Sequence, residues 1–395
     1  MLDKNTIIGL VLIVGVFIGY GLWTAPSEQE RAALKAKQDS IIKVQDKLAQ
    51  AKSINIKDSV ESLSKDSTLI NKDSINLSEF GAFSSCAKGI NDTITVSNDL
   101  IEIKFSSLGA MVKQVKLKDY LTYGKKPVLL LDKNNYGLNL TVGQNIVKTE
   151  DLYFEPTINN KPITQPITVK GDDSVVIVFK AKASDSVRNG VLEFRYVVRG
   201  NDYRVGYNIG FNNLKGIVTD QSSVEMTWNT DLKVQEKDRS VEVKNSSIYY
   251  LLKDEVDYLK ENGADDKKTE NGIPIKWISY KQQFFSTAII AKGEGFVSAQ
   301  METQTENRPA KDSTYLRTMK SLLTIPYDGN AKSSNFSMDF FYGPNKYGII
   351  SDYDINMEQI IPLGWGFFLM QWVNRFAIIP VFDFLSNFGW NMGIV

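Results

Sequence analysis

Histidine does not occur in this 395-residue chain. Its absence removes the commonest general base near neutral pH, the commonest metal ligand, and every Ser-His or Cys-His nucleophile pair. Carboxylate-pair hydrolysis stays open in principle, because Asp and Glu are plentiful and that chemistry needs only an acid and a base or nucleophile at the right separation. The sequence alone pairs none of them. Net charge is also lacking: Lys+Arg and Asp+Glu stand at 46 each. No bulk field therefore favours nucleic acid or an anionic surface, and no nucleic-acid partner is expected. The single cysteine, Cys86, cannot form an intramolecular disulfide. That suits either a reducing compartment or an exported domain large enough to fold without staples. No catalytic, cofactor-binding or metal-ligating residue is assigned from these patterns.

What is present is apolar. Hydrophobic residues make up 43% of the chain, enough for a sizeable core and two or three domains by length. Residues 6–23 (TIIGLVLIVGVFIGYGLW) carry no charge, and as a helix they reach roughly 27 Å, near the hydrocarbon thickness of a bilayer. Residues 1–26 are therefore expected to be a transmembrane anchor, with Ile7, Leu10, Val14, Phe17, Tyr20 and Trp23 in the membrane and the last two at its aromatic belt. A cleaved signal peptide fits less well, since Trp23 stands two positions before Ala25, where a small residue is required. Lys4 precedes the span while Arg31, Lys35 and Lys37 follow it, so the positive-inside count does not set the orientation.

Residues 27–90 read as a polar helix followed by a flexible linker. Leu34, Ile41, Val44, Leu48 and Ala51 form a short seam interrupted by Lys37, too short for a stable coiled coil, and a solvated stalk is expected. Residues 53–89 repeat Lys-Asp-Ser three times amid Ser and Asn and are too polar to fold by burial. Cys86 falls in this stretch.

Beyond residue 90 the period becomes two: Ile101, Ile103 and Phe105; Val115 and Leu117; Val175 to Phe179; Phe194, Tyr196 and Val198; Val205, Tyr207, Ile209 and Phe211; Val224, Met226 and Trp228. These are strands, punctuated by Gly, Asn and Asp turns over more than 200 residues. A mainly β protein with an antiparallel sandwich over 91–345 is predicted. Trp277, Phe284 and Phe285 are expected in its core, and Gly343-Pro344-Asn345 as the turn that ends its last strand. Residues 346–390 follow as a connection and a C-terminal amphipathic helix. Within 363–388, Trp365, Phe368, Leu369, Trp372 and Phe376 keep helical spacing while Arg375, Gln371 and Asn374 gather mainly elsewhere. Such a stretch suits the bilayer interface, with a second span and a buried core helix as alternatives.

Four runs carry a resemblance. They are residues 98–105 with Ser106-Ser107-Leu108-Gly109-Ala110 and the strand 115–120; Trp277-Ile278-Ser279-Tyr280-Lys281-Gln282-Gln283-Phe284-Phe285; Phe341-Tyr342-Gly343-Pro344-Asn345; and Gly364-Trp365-Gly366, leading through Pro380 to Asn387-Phe388-Gly389-Trp390. In this order, after an anchor, they resemble the YidC branch of the YidC/Oxa/Alb membrane-insertase family of bacteria with two membranes. The resemblance covers essentially the whole chain. It implies an N-terminus in the cytoplasm, a periplasmic twisted β-sandwich of the mutarotase-like supersandwich kind, and an interfacial helix before the second span. It further implies a non-enzymatic insertase and chaperone of the bacterial inner membrane, multi-pass when complete. Its partners would be the lipid bilayer and nascent membrane proteins, with or without the Sec translocon. The family continues with about five more spans; residues 391–395 are expected to open the second, and the family's groove arginine lies in that further part. The alternatives are a bitopic envelope protein whose β-sandwich binds glycan or protein, and a membrane-anchored carboxylate-pair glycosidase.

Overall fold

Alternating apolar residues that bury one face of a pleated strand recur through this chain, and the computed structural model places them as strands. It describes residues 77–163, 165–185, 187–219, 222–305, 314–362 and 373–386, all within the unit Asn71–Val395. The anchor at 6–23, the polar helix, the linker up to residue 76, and residues 363–372 and 387–395 lie outside the described residues.

In chain order the first strands are β1 (Thr93–Ser97), β2 (Ile101–Ser106), β3 (Met111–Leu121), β4 (Pro127–Leu131), β5 (Asn134–Val142), β6 (Asn145–Lys148), β7 (Glu155–Ile158), β8 (Lys161–Pro162) and β9 (Ile167–Thr168). Longer ones follow: β10 (Ser174–Ser184), β11 (Asn189–Arg199), β12 (Arg204–Asn212), β13 (Ser223–Lys233), β14 (Ser247–Leu252), β15 (Glu255–Tyr258) and β16 (Asp266–Lys281). The last four are β17 (Phe285–Ala291), β18 (Phe296–Gln304), β19 (Tyr315–Pro326) and β20 (Ser333–Pro344). A five-stranded sheet runs β4-β3-β2-β1-β9, and a fifteen-stranded sheet runs β6-β5-β13-β19-β18-β16-β17-β20-β12-β11-β10-β7-β8, with β14 and β15 branching from β16. Among the described strands only the β1–β9 pair is parallel.

So long a twisted ladder folds back on itself. Tyr136 of β5, near one edge, touches Tyr207 of β12 and Phe340 of β20, with ring centres 6.1 and 5.1 Å away. Trp228 of β13 stacks on Tyr280 of β16 at 3.6 Å. The smaller sheet closes the other side: Phe105 of β2 lies 4.9 Å from Tyr196 of β11 and 6.1 Å from Phe179 of β10. The expected mainly β sandwich is thus observed, with the apolar members of each alternating set in its core.

Two expectations are corrected. The flexible linker does not extend to residue 89, because residues 77–80 are helical and Gly81–Cys86 form a 3-10 helix laid on β10. Phe83 is fully buried there, and the Cys86 thiol donates to Lys182 O at 3.2 Å. Two phenylalanines, Phe80 and Phe83, supply the burial that the polar composition concealed. The second correction concerns Phe284, which is 51% exposed, while Trp277 is fully buried and Phe285 nearly so. Phe284 occupies the connection between β16 and β17, where strand alternation no longer holds.

Candidate functional site

The predicted interfacial residues that can be located are Arg375 and Phe376; Trp365, Phe368, Leu369 and Trp372, like the anchor residues Ile7, Leu10, Val14, Phe17, Tyr20 and Trp23, lie outside the described residues. Arg375 and Phe376 belong to a π-helical turn, Asn374–Ile378, that runs into the α-helix Ile379–Ser386. Proline explains the widened turn. Pro380 has no N–H to offer the carbonyl four residues back, and the Ile379 N–H reaches Asn374 O, five back. Phe376, Ile378, Val381 and Phe384 are all more than half exposed. The Arg375 guanidinium lies 5.7 Å from the Tyr347 ring centre and 5.5 Å from that of Phe376. Among the described residues, no helix is long and apolar enough to cross a membrane.

The path to this helix starts at Asn345. Its amide donates to Gln282 O at 2.9 Å, its side-chain oxygen accepts from Ser286 Oγ at 2.6 Å, and its N–H donates to Phe284 O at 2.7 Å. The strand ends here, but Gly343 and Pro344 do not form the expected turn: they are the last residues of β20, paired with Ser286 and Phe285, and Asn345 alone locks the departing chain to the β16–β17 connection. The α-helix Tyr347–Ser351 and the 3-10 helix Met357–Ile360 then pack back on the sandwich, burying Ile350, Met357 and Ile360. Trp277 fastens this return by donating its indole N–H to Ile355 O at 2.8 Å.

The other recognisable runs also serve as joints. Asn98 is buried and makes four hydrogen bonds: it donates to Arg199 O and Asp202 O, each at 2.8 Å, and accepts from Leu100 N and Ile101 N at 2.9 and 2.7 Å. In Ser106-Ser107-Leu108-Gly109-Ala110 the last two residues have φ of 74° and 48°, left-handed conformations that suit glycine and strain alanine. Tyr280 donates to the Trp228 carbonyl and meets Ser321 Oγ, both at 2.8 Å.

Charged side chains form two built clusters on the β14–β16 region. The Lys281 ammonium, 4% exposed as a side chain, lies 2.7 Å from Glu261, which also accepts from the Tyr249 hydroxyl at 2.6 Å. Nearby, Lys268 contacts both Asp257 and Glu270, and the Tyr250 hydroxyl stands 3.0 and 2.9 Å from the same two carboxylates. Burial raises the Asp257 carboxyl, but the bonds from Lys268, the Tyr258 N–H and the Tyr250 hydroxyl together outweigh it and the net shift is downward. Burial lowers the Lys268 ammonium, but Asp257, Tyr250 and Glu270 together outweigh it and the net shift is upward. Two carboxylates held on one lysine and one tyrosine hydroxyl suit a structural clamp. Arg317 is fully buried and donates to Ser246 O at 2.7 Å and Thr303 Oγ1 at 2.8 Å. Burial lowers its pKa. Glu242, also buried, accepts from Gln235 N and Glu236 N; burial pushes its carboxyl up to about 7 against those donors.

At the sandwich end where β20 begins, Arg188, Lys215 and Lys332 line an open cleft of ≈ 690 Å³ with Asn189, Asn213 and Asn330. Arg188 is spent on Asp185, 3.7 Å away, and on Gly216 O. The sequence does not single out these residues, since they come from three separate connections, β10–β11, β12–β13 and β19–β20, with no shared motif.

A large folded-over β-sandwich that delivers its last strand into an exposed apolar helix is the architecture on hand. Residues 93–375 match the family described as the YidC periplasmic domain, and the chain belongs to that family. It is similar to the membrane protein insertase YidC of Parabacteroides distasonis, 31% identical over 411 residues, covering 100% of this chain and 61% of that protein. The membrane protein insertase YidC of Porphyromonas gingivalis is 29% identical, covering 100% and 60%. The chain thus spans about three-fifths of the length of these relatives. Among solved structures it is similar to a galactose mutarotase related enzyme from Lactobacillus acidophilus, with 9% identity and a TM-score of 0.39, covering 64% of this chain and 97% of the other. A galactose mutarotase-like protein from Lactobacillus casei gives 9% identity and a TM-score of 0.38, covering 64% and 100%.

Proposed function

We propose that this chain is the front part of a membrane-protein insertase of the bacterial inner membrane, with its β-sandwich in the periplasm and nascent membrane proteins as clients. The carrying observation is the family match over 93–375 together with relatives named insertases along the whole chain. The exposed apolar residues Phe376, Ile378, Val381 and Phe384, with Arg375 beside them, support an interfacial helix that also takes in Trp365, Phe368, Leu369 and Trp372. In this reading residues 1–26 are the anchor, the N-terminus is cytoplasmic, the Sec translocon is an optional partner, and the protein is not an enzyme.

The physical task is desolvation. A polar group entering hydrocarbon costs several kcal/mol, and at membrane depth only protein-lined, water-accessible cavities between helices reduce that cost. One apolar anchor cannot form such a cavity, and an interfacial helix can dock against one but not replace it. The test reconstitutes this 395-residue chain into liposomes with a small client, beside a version extended C-terminally to the length of its relatives. Insertion is expected from the extended protein only. Equal insertion by both would sink the mechanism. The second reading, an envelope protein that binds glycan, draws on the polar cleft at Arg188, Lys215 and Lys332; it requires glycan binding by the described domain and no insertion by the extended protein.

A further inference from the structure

Two connections meet at the end of the sandwich where the chain leaves it. The β3–β4 connection hangs from the segment after β13: Tyr123 N donates to Gln235 O at 2.9 Å, and the Lys237 ammonium lies 5.5 Å from the Tyr123 ring centre. The β16–β17 connection is tied to the same strand exit, since Gln282 Nε2 donates to Lys233 O at 2.7 Å. Behind them the Tyr120 and Phe285 rings meet edge-on at 5.5 Å. The two tips therefore share one buried foundation.

Outward of that contact, Leu121, Tyr123 and Phe284 are 56%, 59% and 51% exposed. Residues 123–127 are all exposed, Lys125 and Lys126 among them. A single exposed apolar side chain needs no explanation. Three at the tips of one end, interleaved with lysines, have the make-up of a headgroup-facing surface, in which rings sit at the interface and ammonium groups reach phosphates. Most neighbouring carboxylates are engaged: Asp238 caps Ser240 N and Val241 N, Asp132 holds Lys233, Glu261 holds Lys281, and Glu242 is buried. Asp119 and Glu236 also flank the tips, and Asp352 and Asp354 are exposed on the segment that follows Tyr347. The surface is also continuous with the exposed apolar helix, because Asn345, hydrogen-bonded to the β16–β17 connection, leads to Tyr347, over whose ring Arg375 lies.

We propose that this end of the β-sandwich seats directly on anionic phospholipid headgroups, with Phe284, Leu121 and Tyr123 entering the interface and Lys125, Lys126 and Lys237 facing phosphate. The inference rests on the membrane setting proposed above and deepens it, because the domain is docked on the bilayer by its own tips as well as tethered to it. Each lysine held at an anionic surface favours the docked state about fivefold, and salt weakens the effect.

The experiment uses the full chain carrying Cys86→Ser and one new cysteine at a time, Phe284→Cys, Tyr123→Cys or Asn330→Cys, the last at the opposite end. Each is labelled with an environment-sensitive dye in phosphatidylcholine vesicles with or without phosphatidylglycerol, and quenched by a headgroup-attached spin label. Strong quenching is expected at 284 and 123 with phosphatidylglycerol, and little at 330. In the Phe284→Cys chain, adding Lys125→Glu, Lys126→Glu and Lys237→Glu together should weaken quenching several-fold. Quenching at 284 and 123 no greater than at 330 overturns the proposal, as does chain-to-chain crosslinking through 284 without quenching. Vesicle flotation separates the two readings: flotation without quenching overturns only the seating, whereas loss of flotation overturns the membrane setting as well.

Discussion

The hydroxyl of Tyr136 lies 2.8 Å from the hydroxyl of Tyr196, and the direction of that bond is fixed by its neighbours. Tyr196 gives its only proton to Ala110 O at 2.7 Å, so Tyr136 must donate to Tyr196 while accepting from Val112 N at 2.8 Å. Burial raises both phenols far above their ordinary range and keeps them neutral. Two strands of the large sheet thereby hold the left-handed Gly109-Ala110 turn of the small one. Tyr196→Phe leaves the Ala110 carbonyl without its donor and the Tyr136 proton without its acceptor in a buried site, at a cost of roughly 1–3 kcal/mol. Urea unfolding of the domain should show that loss; a change within error would mean that packing alone holds the turn.

Asn98 offers a second test, because its donor and acceptor sides do different work. Asn98→Asp keeps the acceptors for Leu100 N and Ile101 N but sets a carboxylate against the carbonyls of Arg199 and Asp202. It should destabilise by about 1–3 kcal/mol or more, since a charge replaces a donor in a buried position. Thermal unfolding reads this out, and a neutral effect would contradict the fourfold bonding described.

Domain boundaries follow from burial. A fragment spanning 77–362 retains Phe83, Ile350, Met357 and Ile360, whereas one spanning 91–345 loses all four from the core. Full burial of such side chains contributes on the order of 1.5–3 kcal/mol each. The shorter fragment is expected to have a clearly lower denaturation midpoint, and equal midpoints would show that the flanking segments add nothing to the fold.

Glu242 predicts a pH dependence. Its carboxyl is pushed up to about 7 from an ordinary 4.5, so between those values the folded state keeps a proton that the unfolded chain has released. Stability from this group is complete below the lower value and is lost as pH rises through the upper one. Relative to Glu242→Gln, the native domain should weaken as pH rises from 4.5 to about 7. Parallel melting curves across that range would remove Glu242 as the titrating group.

Much of the β architecture was readable because burial imposes period two on the strands: Val224, Met226 and Trp228 all point into the core, as do Ile101, Ile103 and Phe105. Phe284 was not readable, because Gln282-Gln283 lacks the Gly or Pro that usually marks a turn and the run looks like one continuous strand. The docking of residues 77–86 was hidden for another reason: its stability comes from the surface of β10, which lies about 100 residues later in the chain. Long-range pairs such as Asp132 with Lys233 have no local signature at all. Of the predicted interface, the residues located are Arg375 and Phe376, and the exposed side chains beside them extend the apolar surface to Val381 and Phe384.

The chain enters and leaves the sandwich at opposite ends of its strands. Cys86 binds at Lys182, which is in register through Val191 and Asn212 with Ser333, the first residue of β20, while Asn345 departs just beyond the last. At ~3.3 Å per residue those twelve residues separate the two points by ~40 Å. A pull applied between the two attachments therefore runs along the strands and loads the hydrogen bonds of neighbouring ladders together in shear, instead of peeling them one after another.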